Sequence, residues 1–84
     1  MPYQLGEEAL QRQRLSSEAI NLAVQGRWEE AVKLNRNILE RFPDDIKSYN
    51  RLGRALTKLG EFAQAKEAYL KTLELAPDNP IAKK

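Results

Sequence analysis

The sequence repeats itself with a period of 34 residues, and this feature constrains the fold more than any other. When residues 12–45 are aligned with residues 46–79, seven positions are identical. The identical pairs are Leu22/Leu56, Gly26/Gly60, Ala31/Ala65, Leu39/Leu73, Glu40/Glu74, Pro43/Pro77 and Asp44/Asp78. They are mainly small residues, helix-ending residues and apolar anchors, which determine packing. A period of this length predicts stacked supersecondary units, and it favours a binding function over a catalytic one.

Composition excludes several classes of function. With no cysteine and no histidine, the chain cannot form a disulfide and has no thiolate nucleophile or imidazole ligand. The apolar runs are too short to cross a membrane and the N-terminus lacks a secretory signal, so we expect a cytoplasmic location. The 14 basic and 12 acidic residues are intermixed and give a net charge of +2. Nucleic acid is therefore a weaker candidate partner than protein.

No combination of side chains indicates catalysis. The adjacent carboxylates point to different faces of a helix, and they lie at helix starts, where negative charge is favourable in any case. These pairs are Glu7/Glu8, Glu29/Glu30 and Asp44/Asp45. The two consecutive serines have no base to activate them, and no phosphate-binding or calcium-binding loop is present. The sequence predicts no enzyme activity, no cofactor and no metal site.

The spacing of apolar residues predicts four helices joined by short loops. Gly26 and Gly60 should end the first and third helices, because glycine accepts the left-handed conformation found after a helix C-terminus. Pro43 and Pro77 should stop the second and fourth. Connections this short force neighbouring helices to run antiparallel, so each unit is a helical hairpin. The predicted helices span residues 6–25, 28–41, 45–59 and 62–75.

Particular residues are expected at the ends of these helices. Trp28 and Phe62 each follow a turn glycine, and we expect both to be buried as plugs of the closed hairpin ends. Asp44 or Asp45 should cap the third helix. Asp78 or Asn79 would similarly cap a short fifth segment.

The combined pattern resembles the tetratricopeptide repeat family. Glu18 and Asn35 depart from it, since large apolar residues are usual at both places. The period of 34 argues against the related pentatricopeptide class, whose period is 35 residues. In the second copy the resemblance depends on Tyr49, Leu52, Gly53, Leu56, Gly60, Phe62, Ala65, Tyr69 and Pro77, and in the first copy on Leu15, Ala19, Leu22, Gly26, Trp28, Ala31 and Pro43.

The resemblance implies an all-α fold in which antiparallel helix-turn-helix repeats stack as a short right-handed α-solenoid. We expect one domain over residues 1–84, with an N-terminal helix extension that turns Leu5 and Leu10 inward. The predicted parts are the extension 1–11, the first repeat 12–45, the second repeat 46–79 and the start of a truncated capping or third-repeat helix at 80–84.

The same resemblance implies a non-catalytic scaffold that binds a peptide or a partner helix in a concave groove between the inner helices. One strip of the third helix is suited to an acidic peptide, and it consists of Lys47, Asn50, Arg54 and Lys58. A helix face that is only solvated would show the same pattern. The first copy lacks the matching residues for a full clamp on a terminal carboxylate. The predicted groove residues are Gln13, Ser16, Ile20, Val24, Lys47, Asn50, Arg54, Thr57 and Lys58.

The alternative function is structural self-assembly. Two repeats are fewer than the three that usually make a stable stack, so the last hairpin should present apolar surface. A continuing chain, a partner helix or a second copy in a homo-oligomer could cover that surface. The residues predicted for self-association are Leu56, Leu59, Ala68, Leu75 and Ile81.

Overall fold

A computed structural model of the protein describes residues 2–77, with side chains from Gly6 onward, and over that range it contains four α-helices. The all-α prediction is confirmed, and the predicted helix ends agree to within two residues except that α1 begins earlier. The predicted fifth segment and its cap lie outside the described residues. The helices are α1 (Pro2–Val24), α2 (Trp28–Arg41), α3 (Ile46–Lys58) and α4 (Phe62–Leu75).

Both hairpins close through the same glycine turn. Gly26 and Gly60 have φ angles of 72° and 80°, which side chains with a Cβ rarely adopt. The amide of Arg27 donates to the Leu22 carbonyl at 2.9 Å, and that of Glu61 donates to the Leu56 carbonyl at 2.8 Å. These bonds satisfy helix-end carbonyls and reverse the chain direction, as predicted.

An aspartate cap sets the start of α3. The Asp45 side chain accepts a hydrogen bond from the Ser48 backbone amide at 3.0 Å, which satisfies one of the free donors at the helix start. Asp45 is buried and also lies 3.7 Å from Nε of Arg12 on α1. The cap therefore fixes the entry of α3 beside α1.

The core consists of two apolar clusters, one for each hairpin. Ala19, Ile38 and Phe42 are buried with Leu15 and Leu34 against them. Successive helices pack on one another, and α1 also contacts α3. The two inner helices are thus neighbours with a groove between them. The second cluster is formed by Leu52, Leu56, Ala65 and Ala68, packed against Val32, Leu39 and Tyr69.

Two of the predicted burials are wrong. Phe62 is 67% exposed, whereas Trp28 at the matching place in the first hairpin is half-buried. Trp28 is covered because Arg54 and Lys58 of α3 lie near its ring, and no described helix follows α4 to cover Phe62. Leu10, expected to face inward, is 55% exposed. Leu5, expected to do the same, lies outside the residues whose side chains are described.

Candidate binding groove between α1 and α3

Two cavities lie along the groove between α1 and α3. The larger, which we call the outer cavity, has a volume of about 560 Å³. It is formed by α1, the α2–α3 turn and the first turns of α3. Its lining residues are Ala9, Arg12, Gln13, Ser16, Ser17, Ile20, Asp44, Asp45, Ile46, Lys47 and Arg51.

The second cavity, which we call the Trp28 cavity, lies towards the closed end of the first hairpin and has a volume of about 160 Å³. Ile20 and Arg51 line both cavities, so the two are continuous parts of one groove. The residues that line the Trp28 cavity are Ile20, Ala23, Val24, Trp28, Ala31, Asn35, Arg51 and Arg54.

The groove is positively charged along α3. Within residues 2–77, the cations of α3 form no ion pair: Lys47, Arg51, Arg54 and Lys58. Arg12 of α1 differs, because it lies 3.7 Å from Asp45 and 4.0 Å from Asp44. The charges of the three exposed cations, Lys47, Arg54 and Lys58, therefore remain available to an anion.

Trp28 contributes an aromatic surface next to these cations. The Arg54 guanidinium carbon lies 5.8 Å from the indole centroid, and Lys58 Nζ lies 5.9 Å from it. Both distances are within the range of cation–π attraction. The indole therefore holds these two of the four α3 cations beside the Trp28 cavity.

Buried polar atoms without partners lie at the base of the groove. Asn35 is 1% exposed, and its Nδ2 donates to the Ala31 carbonyl at 2.9 Å. Its Oδ1 has no hydrogen-bond partner within the described residues, and neither has Nη1 of Arg51. Burial lowers the pKa of Arg51, an effect opposed by the nearby Asp45 carboxylate. The guanidinium nevertheless stays charged at neutral pH, because its unperturbed pKa is far higher.

The structure places the predicted groove residues in four groups. Gln13, Ser16, Ile20 and Lys47 line the outer cavity, while Val24 and Arg54 join Ile20 in the Trp28 cavity. Lys58 lies beside the Trp28 ring. The last two, Asn50 and Thr57, line neither cavity, and Thr57 Oγ1 donates to the Gly53 carbonyl of its own helix at 2.8 Å.

Sequence reasoning missed Arg51 and gave Asn35 no functional role. Arg51 lies four residues after Lys47 and three before Arg54, so helical spacing could have added it to the basic strip. The signal for Asn35 was a polar residue in the apolar stripe of α2. Trp28 was predicted only to plug the closed end of the first hairpin, and its place in the lining of the groove was missed.

A further cavity of about 430 Å³ lies between α2 and α4. Leu52, Leu56 and Ala68 contribute to its lining. Arg36, which also lines it, donates to Oε1 of Gln64 at 2.6 Å. Lys71, the other cation in its lining, lies 3.6 Å from Glu74. Because both cations already have partners, this cavity offers less unpaired positive charge than the groove between α1 and α3.

The residues predicted for self-association are only partly on the surface. Leu56 and Ala68 are 3% and 5% exposed, because they pack between α3 and α4, so contrary to expectation they present almost no surface for association. Leu59 and Leu75 are 38% and 40% exposed. Ile81 lies outside the described residues. The prediction missed Phe62 and Leu70, which are 67% and 48% exposed.

Metal-binding clusters and membrane spans are both absent from the described part of the chain. Among residues 2–77, no group of three or more carboxylate side chains is placed to hold a metal ion. None of the four helices is long and apolar enough to span a membrane.

Comparison with known proteins relates the chain to a repeat family. The family model described as tetratricopeptide repeat matches residues 46–79, the second copy of the period. Over 74 residues, 88% of this chain, the sequence is 31% identical to the cellulose synthase operon protein C of Salmonella typhimurium strain LT2. The chain spans only 6% of the length of that relative.

Proposed function

Because residues 46–79 are a tetratricopeptide-repeat segment, we propose that the groove between α1 and α3 binds an acidic peptide or partner helix. Repeats of this kind generally mediate protein–protein interaction and are typically non-catalytic, and stacked helical hairpins use their concave face for binding. The assignment of residues 12–45 as a first repeat is part of this proposal.

The observation that carries the proposal is the set of α3 cations without ion pairs in the described part of the chain. Arginine and lysine donate charge-assisted hydrogen bonds to carboxylates, and such bonds are stronger than neutral ones. Lys47 lies in the outer cavity and Arg54 in the Trp28 cavity, so cations are present along the length of the groove. An acidic segment lying along α3 would meet them in succession.

Apolar side chains of α1 form the opposite wall. Ile20 is 48% exposed and Val24 is 79% exposed, one helical turn apart on the same face. A partner that buries them gains about 25 cal/mol for each Å² of apolar surface removed from water. The groove therefore suits a ligand with apolar residues on one side and carboxylates on the other.

We expect the double substitution Arg54→Ala and Lys58→Ala to weaken peptide binding by about tenfold or more, since each charged hydrogen bond contributes about 1.5–3 kcal/mol when desolvated. The probe is a fluorescent peptide chosen from a random display library against the wild-type chain, and its Kd is measured by anisotropy. Binding of the wild type should also weaken as salt is raised, because the cations are at the surface.

The matched control removes one arginine and one lysine outside the groove. Arg14 on α1 and Lys33 on α2 are exposed and line neither groove cavity. Arg14→Ala with Lys33→Ala should leave the Kd within about twofold, because distant surface charges are screened. Equal losses for the two double variants would assign the effect to net charge, and no loss for Arg54 and Lys58 would refute the groove.

The second candidate function is self-assembly through the outward face of α4, with a second copy of this chain as the partner. Phe62 and Leu70 are exposed and eight residues apart, so they lie about 12 Å apart along one side of the helix. Leu73 is half-buried on the same side. Exposed apolar groups of this kind favour association when they form a continuous patch.

For this candidate we expect a dimer or larger species in light scattering of an eluting peak, becoming more abundant as concentration is raised over about a hundredfold range. Phe62→Ser with Leu70→Ser should shift the mass to that of the 9.6 kDa monomer. Leu10→Ser, which removes an exposed leucine from α1, should change nothing. A wild-type monomer at every concentration would exclude self-assembly through α4.

A further inference from the structure

The outward side of α4 carries opposite charges placed symmetrically about an exposed leucine. Leu70 is 48% exposed, Lys66 precedes it by four residues and Glu74 follows it by four. Residues four apart lie on one face of a helix, here the face opposite the buried residues Ala65, Ala68 and Thr72. Both charged side chains are exposed, so the three residues form an accessible stripe about 12 Å long, which we call the α4 stripe.

The charges of the α4 stripe are free to take new partners. Within residues 2–77, Lys66 forms no ion pair. Glu74 lies 3.6 Å from Lys71, and the two side chains are 66% and 55% exposed. Exposed pairs of this kind contribute little to stability, so another cation can share or replace Lys71 beside Glu74.

The α4 stripe is complementary to a second copy of itself. When two α4 helices lie antiparallel with their Leu70 side chains in contact, Lys66 of each copy lies opposite Glu74 of the other. Both residues are about 6 Å from the centre, so a two-fold axis there gives two identical ion pairs on either side of an apolar contact. A partner of different sequence would not require opposite charges at equal distances from the centre.

The outward side of α1 is mostly polar and does not match the apolar residues of α4. Through the 34-residue period, three buried residues of α3 correspond to exposed polar residues of α1, in the pairs Ser48/Arg14, Leu52/Glu18 and Ala55/Asn21. Leu10, exposed beside Arg14, adds one apolar side chain to this face. Burying Arg14 and Glu18 against α4 would remove charges from water without partners, so stacking of copies head to tail is unfavourable.

We propose that two copies of this chain dimerise through antiparallel α4 helices that are centred on Leu70 and joined by Lys66–Glu74 ion pairs; this rests on the proposed self-assembly through the outward face of α4. Phe62, two turns before Leu70 and 67% exposed, lies over the C-terminal end of the other α4 in this arrangement. The two-fold symmetry closes the assembly at two copies. The interface uses no residue that lines the groove between α1 and α3, so a peptide can bind the dimer.

The first test reverses each charge separately. Lys66→Glu places carboxylates opposite each other at both ends of the contact, and Glu74→Lys places ammonium groups there. Each variant should weaken dimerisation about tenfold in sedimentation equilibrium, because two attractive contacts become repulsive. The matched controls on α2, Lys33→Glu and Glu29→Lys, change the same charges at exposed positions and should keep the dimer Kd within about twofold.

The decisive test mixes the two α4 variants in equal amounts. In a mixed pair, the carboxylate introduced at position 66 faces the ammonium group introduced at position 74, and the unchanged Glu74 faces the unchanged Lys66. The mixture should therefore dimerise about tenfold more tightly than either variant alone. An equal mixture of the two α2 variants has the same net charges and should show no gain. If the α4 mixture stays as weak as its components, the antiparallel register is wrong.

The outcomes separate this inference from the self-assembly on which it rests. A wild-type chain that is monomeric at every concentration overturns both. A dimer that is lost in Phe62→Ser with Leu70→Ser but unchanged by the charge reversals retains self-assembly through α4 and refutes the register. A mass that grows beyond twice 9.6 kDa as concentration is raised refutes the closed dimer.

Discussion

We expect Ile38→Ala to lower the free energy of unfolding by about 2–5 kcal/mol, a large effect for one truncation. Ile38 is 0% exposed and is the largest fully buried side chain among the residues whose side chains the structure describes. It lies on α2 and belongs to one buried cluster with Ala19 of α1 and Phe42 beyond the end of α2. Removing three carbon atoms leaves a cavity that the small neighbouring residue Ala19 cannot fill.

The measurement is urea unfolding followed by far-UV circular dichroism. Domains of this size are stable by only about 5–15 kcal/mol, so the substitution should shift the midpoint strongly and reduce the folded fraction on warming. Leu10→Ala is the control, because Leu10 is 55% exposed on α1 and its truncation should cost less than about 0.5 kcal/mol. A loss below about 1 kcal/mol for Ile38→Ala would mean that this cluster does not stabilise the hairpin.

Gly53→Ala should destabilise the second hairpin by about 1–3 kcal/mol, even though alanine is the better helix former. A Cβ built on Gly53 would lie 2.7 Å from Cζ of Tyr69 and 2.8 Å from its Cε1. Atoms cannot approach this closely, so α3 and α4 must separate or the tyrosine ring must move. Gly53 is therefore required for the close contact between these two helices.

A double-mutant cycle with Tyr69→Leu isolates this contact. Without the ring, Gly53→Ala should cost little or should stabilise by up to about 1 kcal/mol through helix propensity, giving a coupling energy of about 0.5–3 kcal/mol. Gly6→Ala is the matched control, since a Cβ there meets nothing within 4 Å. Equal costs of Gly53→Ala in both backgrounds would show that the tyrosine ring is not the cause.

The elements of the fold could be predicted because each depends on neighbouring residues. The glycine turns at Gly26 and Gly60 require only a left-handed residue after a helix, and the Asp45 cap requires only an acceptor before one. The period then implies that two such hairpins stack. Local chemistry and repetition together were sufficient for the helix order.

Burial at the end of the repeat pair could not be predicted in the same way. Trp28 and Phe62 are equivalent within the period, yet only Trp28 is half-buried, because the next hairpin supplies Arg54 and Lys58. Leu56 and Ala68 were expected on the surface but are buried, because the sequence pattern does not show how completely α3 and α4 cover each other. Such differences depend on tertiary neighbours.

The groove was predicted in outline but not at its base. Helical spacing identified the strip of Lys47, Asn50, Arg54 and Lys58, while Asn35 and Arg51 come from different helices and line one cavity only in the folded chain. A polar residue in an apolar stripe, such as Asn35 on α2, indicates only that the core departs from purely apolar packing at that position. Its partner, and the cavity that it lines, depend on how α1, α2 and α3 pack together.

The measurement that tests the central proposal most directly is the map of NMR chemical-shift changes when the library-derived peptide is added to the labelled chain. Binding in the groove predicts that the largest changes lie on α1 and α3 around Ile20, Lys47 and Arg54. Changes confined to the cavity between α2 and α4, around Arg36 and Gln64, would contradict the groove as the binding site.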